Sequence, residues 1–153
     1  MKVSEKGIAH IKREEGSSTK PYLCFAEKAT IGYGSTYYPS GRKVTLADQP
    51  ITEVQADEMM RHILAKDFEP TISAALKGVS VTQGQFDALV SLAYNIGVNA
   101  TIKSTAMRLT KAGDVTGAAN AFLLFNKIRQ NGKLVVSKGL VARREREKAL
   151  YLS

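Results

Sequence analysis

The chain has 153 residues, is 44% hydrophobic and sets 22 Lys and Arg against 14 Asp and Glu, a net charge of +8. That length and apolar fraction suit one compact domain spanning residues 1–153 and leave no room for two independent ones. A single cysteine, Cys24, excludes an internal disulfide and any Cys-rich zinc site, and with only His10 and His62 beside it neither a metal nor another cofactor is expected.

The N-terminal run "MKVSEKGIAHIKREEG" is broken by charge every two or three residues, so it lacks the apolar core of a secretory signal. No later stretch reaches membrane-spanning length, and synthesis in the cytoplasm without a membrane anchor is the expectation. Residues 4–14 read as a short helix, with Ser4 as N-cap, Ile8 and Ile11 on one face, and Gly16 as the stop. From Pro21 to Val44 the pattern turns β-rich, in the pieces "YLCFA", "TIGYGS" and "RKVTL", divided by turn residues that include Pro39, Ser40 and Gly41. These predict a small antiparallel sheet in a lobe over residues 15–50.

The remainder reads as helical. "ITEVQADEMMRHILAKDFEPTISAAL" opens on a capping box, Thr52 and Gln55, and predicts a connecting helix over 52–77 that Pro70 kinks or interrupts. "VTQGQFDALVSLAYNIG" repeats the device with Thr82 and Gln85 and stops at Gly97. Shorter helices are predicted near 104–112, 115–125 and 138–151, so that a helical lobe covers 80–153 together with the N-terminal helix. The fold class is α+β: a small N-terminal sheet lobe and a larger all-helical lobe joined by a long helix, with the cleft between them as the default binding site. The net charge points to an anionic partner or surface such as a cell envelope. Because the basic residues are scattered among acids, as in "ARREREK" at 142–148, they read as a solvated helix face with pairs such as Arg143 and Glu147. Nucleic acid is therefore not the expected partner, and Arg143 and Arg144 are expected to anchor the last helix.

One constellation stands out. Eight residues separate Glu15 from Cys24, and five separate Cys24 from Thr30. The helix end brings Glu15 to the start of the sheet, while Cys24 and Thr30 fall on consecutive strands. If the loop between those strands has an odd number of residues, such as 25–29 or 26–28, residue 24 pairs with 30 and both side chains share a face; an even loop sends Thr30 to the other side. Without that arrangement Cys24 reads as a small buried hydrophobe and Thr30 as an ordinary strand residue.

This spacing, a Glu, eight residues, an Asp or Cys, five residues and a Thr, resembles the signature of the bacteriophage-type lysozymes, glycoside hydrolase family 24. "IGYG" at 31–34, "QFDALVSLAYNIG" at 85–97 and "GLVARREREKAL" at 139–150 extend the resemblance over nearly the whole chain. The chain departs from the pattern at Ser35, where His is frequent, and in having no Trp, an aromatic whose place Phe125 could take.

The resemblance implies a lysozyme-like fold and a muramidase that hydrolyses the β-1,4 bond between N-acetylmuramic acid and N-acetylglucosamine in bacterial peptidoglycan. Such a reaction needs a proton donor and a group serving an oxocarbenium-like centre from the opposite face of the sugar. Glu15 is the implied general acid, a role that calls for an apolar, partly dry setting, and Glu14 is expected to be a solvated helix residue. For Cys24 three roles stay open: positioning the attacking water with Thr30, attacking as a thiolate, or standing nearly inert. An unperturbed thiol, with a pKa of about 8.5, cannot simply copy a carboxylate. By resemblance, Tyr94, Asn95, Thr105 and Asn120 contact substrate. The resemblance also implies release to the wall by a separate holin-type protein, and a monomer is the default expectation. A lytic transglycosylase, which needs a single carboxyl, and a non-catalytic basic binder of wall or nucleic acid are the competing readings.

Overall fold

In the computed structural model, which describes all 153 residues, the chain begins with helix α1 (Glu5–Glu15). Ser4 caps it by accepting from the Gly7 N–H at 3.1 Å, and Asp87 holds Ser4 in turn by accepting from its backbone N–H at 3.0 Å and from its hydroxyl. This helix meets the one that carries Asp87 (Gln83–Ile96) so closely that a Cβ on Gly7 would lie 2.6 Å from Asp87 Cγ, which is why the position is glycine. Ile8 and Ile11 are buried on the inner face of α1. Gly16, at φ 63°, turns the chain out of the helix and donates its N–H to Lys12 O at 2.9 Å, which leaves Glu15 as the last helical residue.

Strands β1 (Ser18–Leu23) and β2 (Ala29–Gly32) form an antiparallel hairpin in which Tyr22 opposes Thr30 and Leu23 opposes Ala29. β1 starts earlier than the sequence pattern places it, because a bulge between Ser18 and Tyr22 absorbs Pro21, which has no N–H to give to a ladder. Thr19 O turns outward there and accepts from Ile51 N–H at 2.9 Å, tying the sheet to the start of the next helix.

The expected third strand, "RKVTL", does not form. Tyr37 and Lys43 make an isolated bridge, and the segment beyond is a turn gathered around the Asp48 carboxylate. That carboxylate accepts from Thr45 N–H at 2.9 Å, Thr45 Oγ1 at 2.8 Å, Tyr38 Oη at 2.7 Å and Arg42 Nη1 at 3.1 Å. Side chain to backbone bonding of this kind competes with strand pairing, and here it wins. Ile31, Val44 and Met59 form the small core of the lobe.

The connecting segment is interrupted rather than continuous. Helix α2 (Glu53–Ile63), capped by Thr52 and Gln55, runs into a π turn (Leu64–Phe68) before helix α3 (Glu69–Ala75). Glu69 N–H reaches back to Leu64 O, one residue further than in an α-helix, just ahead of Pro70. The π turn accommodates the proline without breaking the path.

Helix α4 (Gln83–Ile96), opened by the Thr82 and Gln85 capping box, is the axis of the helical lobe: every residue from Gln85 to Ala93 is buried. Around it lie α5 (Val98–Ile102), α6 (Thr105–Lys111), α7 (Val115–Ala121) with a 3-10 turn after it (Phe122–Leu124), and α8 (Lys138–Tyr151). Phe86, Leu89, Leu92, Met107, Phe122 and Tyr151 are the large residues at the centre of this core.

Between the 3-10 turn and α8 the chain forms a second hairpin, β3 (Lys127–Gln130) and β4 (Lys133–Val136), that the sequence reading does not anticipate. Its signal was present in Asn131–Gly132, both at positive φ (49° and 77°), the two-residue turn that suits hairpin twist. No helix of the protein is long and apolar enough to cross a membrane.

Candidate active site

The hairpin between β1 and β2 decides how Cys24 and Thr30 relate. Cys24 donates its backbone N–H to Lys28 O at 3.0 Å, and Glu27 N–H returns to Cys24 O at 2.9 Å. Residues 25–27 therefore form a three-residue loop closed by Glu27 at φ 57°. The loop is odd, but it sits one residue nearer the N-terminus than the 26–28 alternative and is two residues shorter than 25–29: Cys24 faces Lys28 across the ladder, and Thr30 faces Tyr22 rather than Cys24. Because side chains alternate with period two, Tyr22, Cys24, Lys28 and Thr30 still share one face, with Cys24 and Thr30 as diagonal neighbours.

Thr30 is 2% exposed and donates its hydroxyl to Lys28 O at 2.9 Å. Cys24 is half-buried, and its thiol is held below the ordinary thiol range, first by the Lys28 backbone and then by the Thr30 hydroxyl. Tyr22 opposes Thr30 and lines a cavity with Glu15. Burial raises its phenol first, and the charges of Cys24 and Glu15 add to the effect. The sequence reading did not single out Tyr22, although its place two residues before Cys24 puts it on the same face.

Glu15 meets the sheet across a cavity of about 310 Å³ lined by Glu15, Gly16, Ser17, Ser18, Tyr22 and Gly32. Its setting is not the apolar one expected from the sequence. The side chain is 21% exposed, and Oε1 lies 2.8 Å from Arg143 Nη1 without hydrogen-bond alignment. Arg143 also reaches Glu147 Oε1 at 3.2 Å and Ser91 O at 3.4 Å. Arg144 Nε lies 2.8 Å from Glu147 Oε2, and its Nη2 donates to Asn95 Oδ1 at 2.8 Å. The expected solvated face of α8 is thus a buried cluster: Arg144 and Glu147 are both 0% exposed, and the Arg143–Glu147 pair forms inside the protein. Burying charges is costly unless they are paired, and two guanidiniums against two carboxylates satisfy that condition.

Glu14 is likewise not solvated. Arg146 grips it through Nε at 2.5 Å and Nη2 at 2.9 Å, and this bonding holds the Glu14 carboxyl below the usual carboxylate range. Adjacent glutamates on one helix therefore face different guanidiniums, and only Glu15 lines the cavity beside the hairpin.

A second cavity of about 340 Å³ lies where the lobes meet, bordered by Gly34, Thr36 and Tyr37 on one side and by Phe68, Tyr94 and Val98 on the other. A third, of about 520 Å³, shares Thr36, Tyr37 and Asp67 with it and reaches Lys28 and Ala29. Strand β2 and the turn after it border all three. Tyr94 donates its hydroxyl to Tyr33 O at 2.6 Å and lies against Phe68, with ring centroids 5.1 Å apart; burial raises its phenol well above the ordinary value. Of the other expected contact residues, Asn95 is engaged by Arg144, Thr105 is the first residue of α6, and Asn120 is exposed on α7. None of these three lines the cavities described. Ser35 is 0% exposed and its backbone pairs with Ile31, so it supports the turn rather than opening to solvent.

The phage lysozyme family model matches residues 12–147. This chain belongs to that family. It is 39% identical, over 100% of its own length and 99% of the other, to the endolysin of Acyrthosiphon pisum secondary endosymbiont phage 1. Among solved structures it is similar to an endolysin from Escherichia coli O157:H7 phage FAHEc1 (38% identity, TM-score 0.85, covering 100% of this chain and 94% of that one). It is also similar to the muramidase domain of SpmX from Asticaccaulis excentricus (34% identity, TM-score 0.83, 99% and 98% covered). A phage lysozyme is a hydrolase of the bacterial cell wall, and the lysozyme-like α+β fold and the overall activity class expected from the sequence both hold.

Proposed function

We propose that this phage lysozyme hydrolyses the β-1,4 bond between N-acetylmuramic acid and N-acetylglucosamine, with Glu15 as general acid and with Cys24 and Thr30 holding the attacking water. The observation that carries this reading is the odd hairpin loop: Cys24 and Thr30 share a face with Tyr22, and Tyr22 lines the same cavity as Glu15. The likeness to a muramidase domain supports the choice of bond.

In this scheme Glu15 protonates the leaving oxygen while the water, held between thiol and hydroxyl, adds to the anomeric carbon from the opposite face. The outcome is inversion. A thiol lowered below its ordinary range is a better acceptor for the water's hydrogen bond than a neutral Cys in apolar surroundings. Arg143 fixes the position of the Glu15 carboxyl. Tyr94, braced on Tyr33 O, shapes the junction cavity where the sugar chain continues. Asn95, Thr105 and Asn120 would take part only with longer glycan strands or their peptides. The enzyme acts as a monomer, and a separate holin-type protein gives it access to the wall.

Digestion of purified peptidoglycan by the wild type, Glu15→Gln and Cys24→Asp, with the product ends identified by mass spectrometry, tests the reading. Hydrated reducing ends from the wild type, none from Glu15→Gln and retained activity in Cys24→Asp are expected. 1,6-Anhydro ends would make the protein a transglycosylase instead, and undiminished turnover in Cys24→Ala would remove the thiol from the mechanism.

A further inference from the structure

The β3–β4 hairpin is left without an obvious purpose by this mechanism. A two-stranded hairpin is marginal in water unless another surface covers one of its faces. In this one every residue from Lys127 to Leu134 is exposed. Leu134 is 61% exposed, Val136 59% and Ile128 44%.

The register sorts these side chains. Lys127 pairs with Val136 and Arg129 with Leu134, so one face carries two cations on β3 directly opposite two aliphatic side chains on β4. The other face carries Ile128 against Val135, which is half-buried, and Gln130 against Lys133. The Asn131–Gly132 turn and the bond from Ser137 N–H to Asn126 O at 2.8 Å close the two ends and hold that register.

Charge is one-sided as well. From Val115 to Arg144 the chain has no acidic residue and six basic ones. Arg143 and Arg144 are buried with Glu147, but Lys127, Arg129, Lys133 and Lys138 are exposed and none of them is in an ion pair.

We propose that this hairpin docks the enzyme on an anionic phospholipid bilayer, with Lys127 and Arg129 meeting the headgroups while Leu134 and Val136 enter the interface beside them. Exposed aliphatic side chains gain free energy only on entering an apolar phase, which a hydrated glycan and its polar peptides do not provide. The cations supply attraction to negative lipid and oppose a second copy of this basic face. A protein whose substrate lies next to a membrane gains local concentration from such a contact, without a spanning helix.

The absence of tryptophan makes the test direct, because Leu134→Trp places the chain's one tryptophan on the proposed contact face, and its emission is separable from that of the tyrosines. Its emission is expected to shift to the blue on adding vesicles of phosphatidylglycerol mixed with phosphatidylcholine, and not with phosphatidylcholine alone. Lys127→Glu and Arg129→Glu, placed together in that background, should weaken vesicle binding at least about tenfold, as should added salt. Clearing of lipid-free sacculi should be unchanged in both, which shows that they are folded and separates this proposal from the hydrolytic one. Four outcomes would overturn it: no shift with anionic vesicles, an equal shift with neutral ones, unchanged binding after charge reversal, or a blue shift that appears with sacculi or with protein concentration alone.

Discussion

Arg143 Nη1 lies 2.8 Å from Oε1 of Glu15, and the same guanidinium reaches Glu147 on its own helix. The last helix of the chain thereby orients a carboxylate that the first helix delivers. Arg143→Ala should cost about 3 kcal/mol or more of stability, measured by urea unfolding, because Glu147 then keeps one guanidinium, Arg144, and the Ser91 hydroxyl in a fully buried site. Arg143→Lys should retain more stability than activity, since an ammonium keeps the charge but not the fork that spans two carboxylates.

Glu14 and Glu15 separate by partner. Glu14→Gln breaks the paired contact with Arg146, whose side chain is 45% exposed, so the expected loss is about 1 kcal/mol with sacculus clearing intact. Glu15→Gln should show the opposite pattern, a folded protein of near-normal melting temperature without activity. Equal loss of activity in both would contradict the assignment of the acid.

The Cys24 thiol is lowered by the Lys28 backbone and next by the Thr30 hydroxyl. The rate of alkylation by iodoacetamide against pH should have its midpoint below the ordinary thiol value of about 8.5. Thr30→Val should move that midpoint upward. A midpoint that does not respond to the substitution would show that the two side chains are not coupled across the diagonal.

His10 is 6% exposed, and burial, the largest cause, lowers its imidazole pKa to about 4 from the usual 6.5. The unfolded chain binds the proton more readily, so stability rises with pH between about 4 and 6.5 and is lost as pH falls through that window. The full difference is at most about 3 kcal/mol. Urea unfolding at pH 4.5 and 7 measures it, and His10→Gln should flatten the dependence. An unchanged slope would show that imidazole charging is not its source.

Much of the architecture was legible in local signals. Ser4, Thr52 and Thr82 each cap a helix as their spacing predicts, Gly16 ends the first one at Glu15, and the step at Pro70 appears as a π turn. These features depend on neighbours a few residues apart, where sequence and structure coincide. The third strand was misread because the bonds to Asp48 outcompete pairing, which β-propensity does not register. The second hairpin falls in the run between the helices predicted near 115–125 and 138–151, where Asn131–Gly132 is its local signal.

For the site, the sequence by itself determined which residues are available: the Glu, Cys and Thr spacing, and their order along a helix end and two strands. Only the tertiary structure decided where the loop between them sits, and with it that Thr30 opposes Tyr22 while Cys24 lies on the diagonal. It also decided that Arg143, Arg144 and Glu147 of "ARREREK" turn inward while Glu145 and Arg146 stay exposed. Arg143, Arg144 and Glu147 lie in one short stretch, but Glu15 is contributed from the other end of the chain, and charges as far apart as that become partners only when packing removes the water between them.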